Sequence, residues 1–478
     1  MTTKGLNRRQ FLWGLSQSAL TSLVLARTLQ QVAASEIKPS VLVLGAGLSG
    51  LYTALLLEAK GLAVTVVEAR DRVGGRVYTL DNLPGKPEAG GQSFNEKYQR
   101  LITLAEQLQV PVAPKSNLDK KGLLLHVRGQ SVLEPDWAAS AANQLAQSER
   151  NLIPPQLLSH YLRQNNPLSD ATAWTKPDYA YLDIPLDKYV RDLGASQEAR
   201  RLMNFNPRSF INSIETTSAL WALRNAQRSK NPSKQVLHIE GGNSRLPEKM
   251  AAALKSPVQT NKVVVSMRSR DNGVEVNCLD GSNFQADYAV VTLPFSVLRH
   301  VKIDPPLQGA QAEAVGELQY TTVTEIFLTV RQSFWESDGY PLSMWTDTQL
   351  QTIFPYRDAS ERLQGLFCIV NGAQAQQLDA MSPEVLAQEV KSELGRIRPA
   401  AARNVEVARV VSWERDPFAR GAFSHFAPGQ IRRFQNKMAQ PWQRIHFAGE
   451  HTAIANPGME SALESALRVA SEILDRIG

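Results

Sequence analysis

The sequence is poor in the residues that would mark a metal or disulfide protein. Its 478 residues contain two cysteines, Cys278 and Cys368, and seven histidines scattered along the chain. Neither cysteine has a second Cys or His at ligand spacing, so no metal ligands are expected. Two thiols permit one disulfide but build no framework. His425 and His451 read as partly buried hydrogen-bonding residues rather than ligands. Long apolar runs are equally scarce. The stretch from Phe11 to Leu25 is broken by Gly14, Ser16, Gln17, Ser18, Thr21 and Ser22 and falls short of the roughly 18 residues a membrane span needs, so the mature chain is expected to have no stable span. No basic block interleaved with aromatics occurs, which removes nucleic acid as a partner. Internal repeats and low-complexity tracts are absent as well.

What the amino terminus does have is Asn7-Arg8-Arg9-Gln10-Phe11-Leu12 ahead of that weakly apolar run and of Val32-Ala33-Ala34-Ser35. This pattern predicts a cleaved twin-arginine export signal over residues 1–34, with the translocase of that route as a transient partner and a periplasmic or exported destination. The route carries folded proteins, which suits a cofactor inserted before transport. Loss of Lys4, Arg8, Arg9 and Arg27 with the signal leaves 48 basic against 46 acidic residues, so the formal charge falls from +6 to +2. The basic balance therefore belongs mostly to the signal.

The strongest positive pattern runs from Pro39 to Glu68. Val41-Leu42-Val43-Leu44 is a short strand-like run, and Gly45-Ala46-Gly47-Leu48-Ser49-Gly50 follows without a gap before a helical apolar pattern. Gly45 permits the tight turn, Gly47 lets the backbone approach a phosphate, and Gly50 lets helix and strand pack closely. The helix N-terminus supplies N–H donors to an anion, and Ser49 is placed to donate to a phosphate oxygen. The motif is not a hydrolase elbow, which needs a glycine where this chain has Leu51. Gly61 ends the helix, Leu62 to Val67 forms the second strand, and Glu68 stands about 20 residues beyond the motif, where a carboxylate accepts ribose hydroxyls.

Just beyond, Ala69-Arg70-Asp71-Arg72-Val73-Gly74-Gly75-Arg76 adds paired glycines flanked by arginines, a loop suited to phosphate with Arg72 or Arg76 supplying charge. With this second motif the chain resembles the flavin-dependent amine oxidase family. The resemblance continues in the same order through Glu88-Ala89-Gly90-Gly91, Gly241-Gly242, Asn261 to Val265, Asp287 to Pro294, Trp413 with Asp416-Pro417 and Gly421-Ala422-Phe423, and Phe447-Ala448-Gly449-Glu450-His451-Thr452. It implies an α/β fold in which a discontinuous Rossmann-like FAD-binding domain is interleaved with an α+β substrate domain bearing a helical lobe. The expected limits are 38–114, 236–300 and 408–478 for the FAD-binding parts, 115–235 for the helical lobe and 301–407 for the substrate domain.

The resemblance also implies a site. FAD would be held by Gly45, Gly47, Ser49, Gly50, Glu68, Ala69, Arg70, Gly75, Arg76, Gly90, Gly91, Val264, Gly449, Glu450 and Met459, without a covalent bond, since Ala422 stands where some relatives carry the attaching cysteine. Phe423 and Met459 would flank the substrate, Met459 replacing a usual aromatic, with Trp413 in the wall. Glu325, in the strand Tyr320 to Leu328, stands where a lysine linked to oxygen reactivity is common, and a one-residue slip would turn it to solvent instead. The implied chemistry removes a hydride equivalent from the carbon beside an amine nitrogen and leaves an imine that water hydrolyses to an aldehyde or ketone. Electrons would go to oxygen or to a periplasmic acceptor. After Gly90-Gly91 the chain has Gln92-Ser93-Phe94-Asn95 rather than a carboxylate-binding arginine, which favours a small amine over an amino acid, although Arg208 or Arg224 could substitute. An L-amino-acid oxidase, a desaturase-like enzyme and a flavin-binding protein without redox role are the competing expectations.

Overall fold

The computed structural model describes residues 39–115, 122–206, 211–227, 233–358 and 360–478. The twin-arginine segment and Arg208 lie outside the described residues. The βαβ unit consists of the strand Ser40–Leu44, the helix Leu48–Ala59 and the strand Ala63–Val67. No side chain caps the helix start at Gly47, so its first N–H groups are left for a ligand. At the other end Gly61 takes a left-handed φ of 88°, and the N–H groups of Gly61 and Leu62 return to the carbonyls of Glu58 and Leu57.

These two strands join two from far along the chain in one parallel sheet, in the order Ala63–Val67, Ser40–Leu44, Tyr288–Val291, Ile445–Phe447. Successive side chains alternate between faces, so Leu42, Leu44, Val291 and Phe447 enter one core while Val41, Val43, Val66 and Val290 enter another. The second core is covered by the helix Leu48–Ala59 through Leu51 and Leu55, and by the C-terminal helix Gly458–Ile477 through Leu463, Val469 and Ile473. Burial on both faces explains why these strands read as unbroken apolar runs. An adjoining sheet of Asn283–Ala286, Gly273–Cys278, Val264–Arg270 and Lys302–Asp304 supplies Val264.

The substrate side is a seven-stranded sheet in the order Val405–Ser412, Val323–Val330, Leu363–Asn371, Thr352–Arg357, Met344–Thr346, Leu124–Val127, Gln130–Leu133. The helix Pro383–Ile397 packs Leu386, Val390 and Leu394 into its core. Two expected limits shift. The stretch expected to be helical from 115 contributes the hairpin Leu124–Val127 and Gln130–Leu133, because Arg128 and Gly129 both take positive φ (52° and 76°), the two-residue turn whose twist suits paired strands. The strand Val405–Ser412 crosses the expected break at 407/408 and belongs to the substrate sheet, and the chain rejoins the parallel sheet only at Ile445.

Cys278 and Cys368 are buried, unpaired and on different sheets, so the permitted disulfide is not formed. Among the described residues no helix is long and apolar enough to cross a membrane. None of the described His, Cys, Asp and Glu residues form a group of three or more suited to a metal ion.

Candidate active site

A cavity of about 1800 Å³ runs from the glycine loop to the substrate sheet. Ordinary small-molecule sites occupy about 300–1,000 Å³, so this one has room for a dinucleotide and a substrate together. Gly47, Ser49, Glu68, Ala69, Arg70, Gly75, Arg76, Gly90, Gly91, Val264, Gly449, Glu450 and Met459 all line it, as do Gly45, Phe423 and Glu325. The loop geometry suits a phosphate group. A Cβ on Gly50 would stand 2.0 Å from the carbonyl oxygen of Gly45, so only glycine lets the helix start this close to the turn. A Cβ on Gly47 would meet no protein atom within 4 Å, since that side of the backbone faces the open cradle. Glu68 accepts the N–H groups of Ala46 at 2.8 Å and Arg70 at 3.0 Å, and a carboxylate with about four acceptor positions keeps others for hydroxyls.

Contacts between residues hundreds of positions apart hold the cavity walls. Arg76 donates to Glu450 Oε1 at 3.0 Å and to the Ala422 carbonyl, and Glu450 also accepts the Ser424 N–H and hydroxyl at 2.9 and 3.0 Å. Arg70 donates to Asp416 Oδ1 at 2.5 Å. Arg72 is turned away from the cavity: its guanidinium lies 4.0 Å from the Tyr78 ring and donates to the carbonyls of Val73 and Gly75. Of the two arginines expected near the phosphates, Arg76 is therefore the one that reaches the cavity.

The substrate chamber lies beyond the turn Gly90-Gly91. Met459 packs against that turn, its sulfur 3.2 Å from where a Gly91 Cβ would be, and Phe423 stands in the same lining. The substrate sheet adds an aromatic wall of Phe327, Phe354, Tyr356 and Phe367, with Phe327 and Phe367 stacked at 6.0 Å and 14°. Glu325 points inward, 4% exposed, with Oε1 accepting from Gln92 Nε2 at 2.8 Å. The alternative register, which would have turned it to solvent, is thereby overturned. Burial raises the Glu325 carboxyl well above its ordinary range, with Glu88 adding to the rise, and burial, with a smaller contribution from Asp81, pushes Glu88 up to about 7. Lys115, beside both, is lowered by burial.

Against this geometry, comparison with known proteins is decisive at the level of family. Residues 48–474 match the family described as flavin containing amine oxidoreductase. The chain belongs to that family. The curated relatives include an L-amino-acid oxidase of Siganus canaliculatus, 27% identical over 91% of this chain and 85% of that one, and one of Crotalus adamanteus, 25% identical over 91% and 86%. Solved structures with the same fold include cyclohexylamine oxidase from Brevibacterium oxydans IH-35A and a triple mutant of putrescine oxidase. Each is 21% identical, covers 92% of this chain and 99% of its own, and has a TM-score of 0.77. The protein is thus a flavin-dependent amine oxidoreductase with the mixed α/β architecture of its family.

Several residues of this amine oxidoreductase serve otherwise than the sequence implies. Ser49 lies 2.9 Å from Ser465 Oγ, and Ser465 spends its own proton on the Ala462 carbonyl. Ser49 is therefore the donor, and its hydroxyl ties two helices together at the edge of the cavity. Trp413 does not line the chamber. It is 3% exposed, donates from Nε1 to the Ala89 carbonyl at 2.8 Å, and underlies Gly90, where a Cβ would stand 2.6 Å from the indole. Trp413 thus supports the turn from behind. Arg224, weighed as a carboxylate partner, is 1% exposed, packs its guanidinium against both Trp174 and Trp221 and donates to the carbonyls of Ile454 and Asn456. It holds the loop leading into Met459. His451 is buried, neither ring nitrogen has a hydrogen-bond partner among the described residues, and burial lowers it to about 3. His425 is lowered to about 4 for the same reason, with Thr321 at 3.3 Å. The pairing of Gln92 with Glu325, the places of Lys115 and Asn243, and the aromatic wall are not legible in the sequence, where the wall residues are visible only as ordinary strand positions.

The raised Glu88 carboxyl has a consequence for stability. The folded chain holds an extra proton between about pH 4.5 and 7, so stability falls as pH rises through that window. Glu88→Gln removes this titration, and its melting temperature relative to wild type is expected to climb from pH 5 to pH 8. A pH-independent offset would contradict the assignment.

Proposed function

We propose that this enzyme oxidises the C–N bond of a small primary or secondary amine on a non-covalently held FAD, releasing an imine that water hydrolyses to an aldehyde or ketone. The reading rests chiefly on one observation: Phe423, Met459 and the aromatic wall line the same cavity as the glycine loop. When bound, the flavin accepts the hydride equivalent from the substrate carbon. The chain's residues do the rest. Apolar walls around the reacting carbon favour the neutral amine as the form that is oxidised, hold its C–H in one place, and exclude water. Ala422 offers no thiol for a covalent link. The electrons pass to oxygen, giving hydrogen peroxide, or to a periplasmic acceptor, and Glu325 in place of a lysine keeps the second route in play.

L-Amino-acid oxidation is the second reading, favoured by the names of the curated relatives. Commitment of Arg224 to backbone carbonyls weighs against it. Anaerobic mixing of the flavin-loaded protein with hexylamine, benzylamine, 1,4-diaminobutane, L-leucine and L-phenylalanine distinguishes them. Bleaching of the flavin by amines but not by the amino acids is expected. Bleaching that requires an α-carboxylate would support the second reading, and none at all would favour C–C desaturation or a non-redox role. Rapid return of colour in air marks an oxidase.

Export through the twin-arginine route belongs to the same proposal, supported by Arg8-Arg9 and the weakly apolar run behind them. Replacing both arginines with lysine is expected to leave folded, yellow protein in the cytoplasm. Undiminished periplasmic protein would refute the route.

A further inference from the structure

Behind the turn Gly90-Gly91 the chain buries more ionisable groups than hydride removal itself uses. Gln92 follows the turn directly, donating from Nε2 to Glu325 Oε1 while its carbonyl accepts from Lys115 Nζ at 3.1 Å. Glu88, two residues before Gly90, accepts the Asn243 N–H at 2.7 Å and the Thr79 hydroxyl at 2.8 Å. Glu88, Gln92, Lys115 and Glu325 all line the cavity. The other charged or titratable groups facing them are His238, on the strand paired with the one leading into Lys115, with Glu240 and Glu361 beyond it, and Asp81 near Glu88. Among the described residues Glu325 differs from Glu88 in having no backbone donor, and its buried Oε2 has no hydrogen-bond partner.

When both carboxyls are ionised, they and the Lys115 ammonium leave one negative charge without a counterpart. A buried carboxylate in that position is costly unless it gains a proton or a cationic ligand. An amine in neutral water arrives as the ammonium, which brings that cation and cannot surrender hydride until it has lost a proton. The two needs match. With the ammonium inside, Glu88, Glu325, Lys115 and substrate sum to zero charge, and they still do after a proton moves from nitrogen to carboxylate. The move removes two charges from a poorly solvated chamber.

We propose that Glu325 is a catalytic base for the substrate ammonium, with Lys115 and Glu88 balancing charge around it. An ammonium N–H bond breaks and an O–H bond forms at Glu325 Oε2. No electrons change hands in that step. The neutral amine keeps the lone pair that expels hydride from the adjacent carbon, and the two electrons leave with that hydride to the bound flavin. The role rests on the amine-oxidising reading above.

The test uses the full flavin-loaded chain as wild type, Glu325→Gln and Glu325→Asp, reduced anaerobically across pH 6–10 by whichever amine of the panel bleaches wild type fastest. Wild type is expected to hold its reduction rate below the pKa of the free amine. Glu325→Gln should lose about tenfold per pH unit there, reach a deficit of about 10²-fold or more at pH 7, and recover at high pH. Glu325→Asp should restore the wild-type profile shape. A second readout is independent of turnover: in the wild-type minus Glu325→Gln infrared difference spectrum at pH 7, a protonated-carboxyl C=O band should grow in when tert-butylamine, which has no hydrogen on the carbon beside nitrogen, is added. Superimposed pH profiles, or bleaching without that band, would overturn the base role alone. A band without bleaching by any amine would overturn the function on which the role rests.

Discussion

The pairing of Arg76 with Glu450 is the interaction on which the rest of the site depends. It joins the second glycine loop to a motif 374 residues later, while Ser424, fixed to the same carboxylate, carries the adjoining Phe423 into position. The pair is about a quarter exposed on the arginine side and less on the glutamate side, so each charge pays some desolvation. Charge-assisted hydrogen bonds at both carboxylate oxygens offset that penalty, and removal of one partner would leave the other unbalanced. Arg70 with Asp416 and Ser49 with Ser465 repeat the arrangement. A cavity of this size can stay open because its walls are tied across the fold.

The same fold sorts its environments sharply. One end of the cavity offers N–H groups and arginine to an anion, whereas the other carries the aromatic wall together with the carboxyls and lysine behind Gln92. A low local dielectric strengthens every charge interaction there and raises the cost of each unpaired one. Neutral forms are favoured on both sides of the reaction, amine as well as acid. The loop before Met459 is set by a similar economy of contacts: Arg224 takes its carbonyls, and Glu464 accepts the N–H groups of Ile454, Ala455 and Asn456.

The nucleotide end was legible because its signals are local. Strand, glycines, helix and Glu68 fall within thirty residues, and each has a backbone reason that side-chain packing cannot change. The family resemblance added motifs that are again local, and the structure puts Arg76, Gly91, Phe423 and Met459 around one cavity. What stayed hidden depends on contacts across the fold. Ser49 faces Ser465, Trp413 lies under Gly90, and Arg224 packs against two tryptophans, none of which any spacing encodes. Lys115 reaches Gln92 and Glu325 only because its strand pairs with Val236–Ile239. The hairpin at Arg128-Gly129 did have a local signal, a two-residue turn ending in glycine, but it sat in a stretch whose composition favoured helix.

One cavity, closed by distant parts of the chain, is proposed to hold an intact FAD without a covalent bond. Denaturing the purified full-length protein and weighing both the released small molecules and the polypeptide tests it most directly. The account predicts close to one FAD per chain in the supernatant and a polypeptide with no added mass. A flavin retained on the polypeptide, a mononucleotide in place of FAD, or no flavin at all would contradict it.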